Sequence, residues 1–209
     1  MDTKPSLIDF FKREHDTLIT LFEQELKKSK ESHDWRPLHL LCQNLFELNH
    51  HAKEEKYIFE AVKENSKIRS GGPLCTYYFD SHMTNPTLRR AMEATNQATG
   101  LVLEPAWSAQ MNDIREQNLP LVIPGEDHEA GRIILRGIQK LLPTVTRGYS
   151  LEDQKIDTLF GIYIEIQKAH FDREENCFFK MCMDLIPMEK WNQIHTEMCL
   201  NYTEIRLSG

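Results

Sequence analysis

Nine histidines and 32 acidic residues are spread unevenly along a chain of 209 residues. His51 and His170 each stand four positions ahead of a glutamate, Glu55 and Glu174, a spacing that puts each pair on one helix face. His15 and His128 fall where a leucine would ordinarily continue an apolar helical stripe. Burying carboxylates and imidazoles in a helical core is costly unless they are paired or coordinate cations. The chemistry implied is therefore metal binding; the alternative is solvated groups or satisfied core hydrogen bonds. One His-x-x-x-acid match carries little weight, since roughly 1.4 are expected by chance at this composition. The repetition on four stripes carries the argument.

Four long segments with helical periodicity must position these groups. The first, about 6–30, places Phe11, His15, Leu18, Phe22 and Leu26 on one face, with Ser6 as its cap and Asp9 in the capping-box position. In the second, about 37–64, the stripe is Leu41, Leu45, Leu48, His51, Glu55, Ile58 and Val62. The third opens after Pro124-Gly125, carries His128, Gly131, Leu135, Ile138 and Leu142, and stops before Pro143. A fourth follows Ser150, aligns Ile156, Leu159, Tyr163, His170, Glu174, Cys177 and Met181, and ends near Pro187. A fifth helix, about 191–205, is expected to cap the bundle through Trp191, Ile194 and Met198. The fold expected is all-α: an up-down four-helix bundle in one domain, 1–209. It has an inserted helical segment between helices two and three and an additional C-terminal helix. The insertion, about 66–125, includes Gly71-Gly72-Pro73 and a helix starting at Asn85-Pro86.

Composition narrows the function. The net charge of −7, with scattered basic residues, argues against nucleic acid or an anionic membrane as the main partner. No apolar stretch reaches the roughly 18 residues of a membrane span, and residues 1–11 do not read as a signal peptide. Five cysteines without a Cys-x-x-Cys pair indicate neither a disulfide framework nor a zinc ribbon, so a reducing cytoplasm is the simplest setting. Imidazoles with carboxylates and no thiolate suit iron, and a bundle core is a known setting for two carboxylate-bridged ions. A single zinc would leave too many donors unused.

The stretch His50-His51-Ala52-Lys53-Glu54-Glu55 with Phe59 resembles the signature of hemerythrin and the hemerythrin-like cation-binding domains. His170-Phe171-Asp172-Arg173-Glu174-Glu175 with Phe178 is similar to its second copy. Asp127-His128-Glu129-Ala130-Gly131-Arg132 and Glu14-His15-Asp16 resemble two further helix motifs. The resemblance implies a non-haem di-iron centre, two irons joined by an oxo or hydroxo bridge. Glu55 and Glu174 would bridge as well, with His15, His51, His128 and His170 terminal. Gly72-Pro73 leading to His82 also resembles the family's approach to a third-helix ligand, which makes His82 a fifth candidate. His50, about 100° around the helix from His51, is expected beside the site or exposed. His33, His39 and His195 are read as surface. Tyr163, Gly131 and Cys177 are candidates for lining the pocket, or are simply core and close-packing residues.

Five histidines, two bridging carboxylates and one bridging oxygen supply about 11 of the 12 positions of two octahedral irons. One vacancy suits dioxygen, so the leading expectation is an oxygen-binding protein for sensing, delivery or storage, with dioxygen, another small diatomic or peroxide as its ligand. Two alternatives stay open. With only four histidines it would be a di-iron enzyme acting on peroxide or nitric oxide, or in iron–sulfur repair. Otherwise it is an iron-sensing interaction module that unfolds when metal is lost.

Overall fold

The structure, a computed structural model, describes residues 4–63, 65, 93, 96–97, 119–144 and 150–207. The expected insertion lies outside these residues except for 93, 96–97 and its last seven positions, 119–125; Gly72, Pro73, His82 and Pro86 are not among them.

Helix α1 spans Lys4–Ser32. It begins ahead of Ser6, which therefore sits in the first turn rather than capping it. Helix α2 winds without a break through Arg36–Leu41, Cys42–His51, Glu54–Phe59 and Glu60–Val62. Helix α3 spans Leu119–Leu141 and carries Pro124 within it, so it starts earlier than the Pro124-Gly125 boundary expected from sequence. Pro124, the sixth residue of that helix, has no N–H to donate to the carbonyl four residues back, so α3 forgoes one backbone hydrogen bond there. Helix α4 runs through Leu151–Arg173, Glu174–Phe178 and Phe179–Leu185, and α5 spans Met188–Asn201. Ser150 caps α4 in a reciprocal box with Asp153. Trp191, Ile194 and Met198 of α5 are buried as expected.

The helices form a bundle. α3 packs along α4 and against α2, α1 packs on α2 and α4, and α5 covers α1 and the end of α2. There are no strands among the described residues. No described helix is long and apolar enough to cross a membrane. Two apolar clusters fill the interior. One is built around Phe22, Phe46, Ile138, Phe160 and Tyr163; the other around Phe11, Ile58, Phe178, Phe179 and Trp191. A belt of buried ionisable groups lies between them along the chain of every core helix.

The winding of α2 sets the register of that belt. Two of its segments, Cys42–His51 and Glu54–Phe59, are π-helical. A 3.6-residue helix drifts by about 40° over each four-residue step. The wider i→i+5 winding offsets that drift. As a result Leu38, Cys42, Phe46, His50, Glu54, Ile58 and Val62, four residues apart throughout, are all fully buried. The stripe expected through Leu48 and Glu55 is rotated outwards, and Leu48 is 63% exposed. In α4 the π-helical turn Glu174–Phe178 has the same effect: Phe178 and Cys182 continue the buried stripe in place of Cys177 and Met181.

Candidate metal centre

Five histidines converge between the clusters: His15 from α1, His50 and His51 from α2, His128 from α3 and His170 from α4, all buried. Each turns its Nδ1 outwards to a carboxylate. His15 meets Glu175 at 2.8 Å, His50 meets Glu14 at 3.1 Å, and His51 meets Glu47 at 3.0 Å. His128 meets Glu55 at 2.8 Å, and His170 meets Asp127 at a longer 3.4 Å. A carboxylate only accepts, so each imidazole carries a proton on Nδ1 and turns its Nε2 inwards. A carboxylate behind an imidazole is what orients a metal-binding histidine and raises its basicity.

The inward Nε2 atoms meet two further carboxylates. Glu54 Oε1 lies 3.3 Å from His50 Nε2 and 3.9 Å from His15 Nε2. Its Oε2 lies 3.4 Å from His128 Nε2 and 4.0 Å from His170 Nε2. Glu174 Oε2 is 3.5 Å from His15 Nε2 and 3.4 Å from His170 Nε2. No oxygen of Glu54 or Glu174 accepts a hydrogen bond, and the Nε2 atoms of His15 and His50 are likewise without a partner. His128 Nε2 and His170 Nε2 face each other at 3.1 Å, a contact that needs a proton or a cation between them. Groups that are this buried and this poorly satisfied destabilise a protein unless a cation sits among them.

The charges agree. Most outer carboxylates carry a cation of their own: Lys53 on Glu14, Arg132 on Glu55, Arg173 on Asp127 and Lys12 on Glu175. The inner pair, Glu54 and Glu174, has only the imidazoles. Burial pushes Glu14, Glu47 and Glu55 upwards, but their histidine and cationic partners hold all three below the usual carboxylate range, Glu55 at about 2. Burial also opposes charge on His50, yet the Glu54 carboxylate and the bond to Glu14 raise it to about 9. Burial, with neighbouring His128, lowers both His51 and His170, the latter strongly. Burial and the Glu54 charge drive Glu174 well up.

The donor atoms fall into sets that lie within 4.8 Å of one another: His15, His50, Glu54 and Glu174; His51, His128 and His170; and Glu54, His128, His170 and Glu174. The residues therefore fit cations. Of the expected site residues, His15, His51, His128, His170 and Glu174 are brought together. Glu55 is not in these sets: it is half-buried behind His128, and Glu54 occupies the central position. His50, expected beside the site or exposed, is inside it. His82 lies outside the described residues. His39 is buried, its Nε2 3.2 Å from the Leu135 carbonyl oxygen, rather than at the surface.

The expected pocket residues surround the centre without opening it. Tyr163 is fully buried and donates its hydroxyl to Glu47 at 3.0 Å. At Gly131 a Cβ would stand 2.9 Å from Gln167 Nε2 and 3.1 Å from Glu47 Oε1, so the glycine serves close helix approach. Cys177 is half-buried and disulfide-bonded rather than lining the centre as a free thiol. The sequence reading missed Glu47, Glu54, Gln167 and the Glu14–Lys53 pair. The His50-x-x-x-Glu54 spacing was the signal for Glu54, and it has the same form as His51-x-x-x-Glu55.

Residues 6–100 match the family model of the hemerythrin HHE cation-binding domain. That stretch holds His15, His50, His51 and Glu54, whereas His128, His170 and Glu174 lie beyond it. Neither curated proteins nor solved structures yield a match.

Proposed function

From the membership of residues 6–100 in the hemerythrin HHE cation-binding family, we propose that this chain is a non-haem di-iron protein that binds dioxygen for sensing, delivery or storage. The supporting observation is the divided carboxylate of Glu54, one oxygen towards His15 and His50 and the other towards His128 and His170. In this reading His15 and His50 would hold one iron and His51, His128 and His170 the other, with the Glu54 and Glu174 carboxylates within reach of both. Iron follows from imidazole and carboxylate donors without thiolate. When bound, the two irons would supply the electrons that reversible dioxygen uptake requires.

The chain's own residues orient and exclude. Glu175, Glu14, Glu47, Glu55 and Asp127 fix the five imidazole planes. Phe171 stacks on His15 at 3.9 Å between ring centres and Phe59 stacks on His128 at 5.5 Å, keeping water from the Nε2 atoms. Metal analysis should give two irons per chain, and the reduced protein should take up dioxygen and release it on deoxygenation. One iron per chain would overturn the di-iron reading. Irreversible oxidation in a single exposure would favour an enzyme acting on peroxide or nitric oxide.

One observation favours a second reading, an iron-sensing interaction module. Glu54 and Glu174 lack any hydrogen-bond donor, so losing the metal would loosen the bundle and alter its outer surface. The cytoplasmic setting remains part of the proposal.

A further inference from the structure

Gln167 lies on α4 one turn before His170 and is fully buried. Its Oε1 stands 3.1 Å from His51 Nε2, and its Nε2 has no hydrogen-bond partner. Because the His51 Nδ1 proton is committed to Glu47, His51 Nε2 offers a lone pair. In this orientation an acceptor faces an acceptor, and the separation equals the 3.1 Å between His128 Nε2 and His170 Nε2, which also need a proton or a cation between them. A cation relieves both. Two donors held about 2.1 Å from one ion at a right angle lie about 3 Å apart, and amide carbonyl oxygens are ordinary ligands for hard cations.

We infer that Gln167 Oε1 is a metal donor, completing the position formed by His51, His128 and His170. This rests on the metal reading above. It widens the difference between the two positions, which already take two and three histidines. The ion held by His15 and His50 has fewer protein donors, so it is the one open to a small ligand. The opposite amide orientation, with the nitrogen donating to His51 Nε2, would instead make Gln167 a competitor of the metal, and the two differ in the sign of a measurable effect.

The test uses the full chain loaded with cobalt(II), comparing wild type, Gln167→Leu and Gln167→Glu by metal content, chelator competition and visible absorption. Leucine roughly preserves volume and donates nothing. It should weaken one of the two ions by about tenfold or more and intensify the cobalt bands, as the coordination number falls. Glutamate restores an oxygen donor and should hold both ions at least as tightly as wild type. A leucine variant that binds both ions equally well, or more tightly, overturns the inference. So does a glutamate variant that loses an ion, a result that decides the matter even if the leucine variant fails to fold. Wild type that takes up no cobalt would overturn the metal reading itself, before any variant is compared.

Discussion

Glu54 and Glu55, neighbours in the chain, end on opposite sides of one imidazole: Glu54 Oε2 lies 3.4 Å from His128 Nε2, and Glu55 Oε1 lies 2.8 Å from His128 Nδ1. One carboxylate stands where a metal would be shared and the other holds the ring that would bind it. Substitutions should separate these roles. Glu54→Ala should abolish binding of a metal pair, whereas Glu55→Gln should keep two ions per chain with affinity reduced roughly 10- to 100-fold. Equal metal content in the two variants would reverse the assignment.

The fifth imidazole can be tested in the same way. His50→Leu should leave one ion per chain, because His15 alone cannot replace the pair that faces Glu54 Oε1. Two ions per chain in the His50 variant would remove His50 from the centre.

Metal removal should destabilise the bundle. An ion present at about a thousand times its dissociation constant adds about 4 kcal/mol, which for a chain of this size corresponds to roughly 10 °C in melting temperature. Calorimetry before and after chelation measures the shift; an unchanged midpoint would contradict the proposed centre.

Proton release provides a pH test. His50 is raised from its ordinary 6.5 to about 9 in the metal-free protein, so its charged form stabilises the fold fully below about 6.5. That contribution is lost as pH rises through about 9. A metal must displace the same proton, so apparent affinity should rise over this window and level off above it. Indicator dye should register His50's proton on metal addition at pH 7.5. Affinity that is flat from 6.5 to 9 would rule out His50 as a ligand.

Helix approach at Gly131 should resist enlargement. A methyl group there meets Gln167, Glu47 and, at 3.3 Å, the Tyr163 ring, so Gly131→Ala should cost about 1–3 kcal/mol. Thermal melting of the metal-free protein would register this. Behaviour identical to wild type would mean that the three side chains can give way together.

The sequence by itself determined that His15, His51, His128, His170 and Glu174 face one interior, and the helices that carry them. A histidine in a leucine's place on an apolar stripe is visible without coordinates, and so is the Ser150 cap of α4. The register of α2 was a matter for the tertiary structure. Periodicity at 3.6 residues selects Leu48, His51 and Glu55; the π-helical winding keeps His51 buried but puts Phe46, His50 and Glu54 inside where Leu48 and Glu55 were expected. Nothing local announces that winding, because it is stabilised by what the rotated side chains meet across the bundle. Nor could the outer carboxylates be chosen from 32 acidic residues. Glu14 reaches His50 from another helix, Asp127 reaches His170, and Lys53 is buried against Glu14. Such pairings depend on distances between helices, which only the packing of the two apolar clusters fixes.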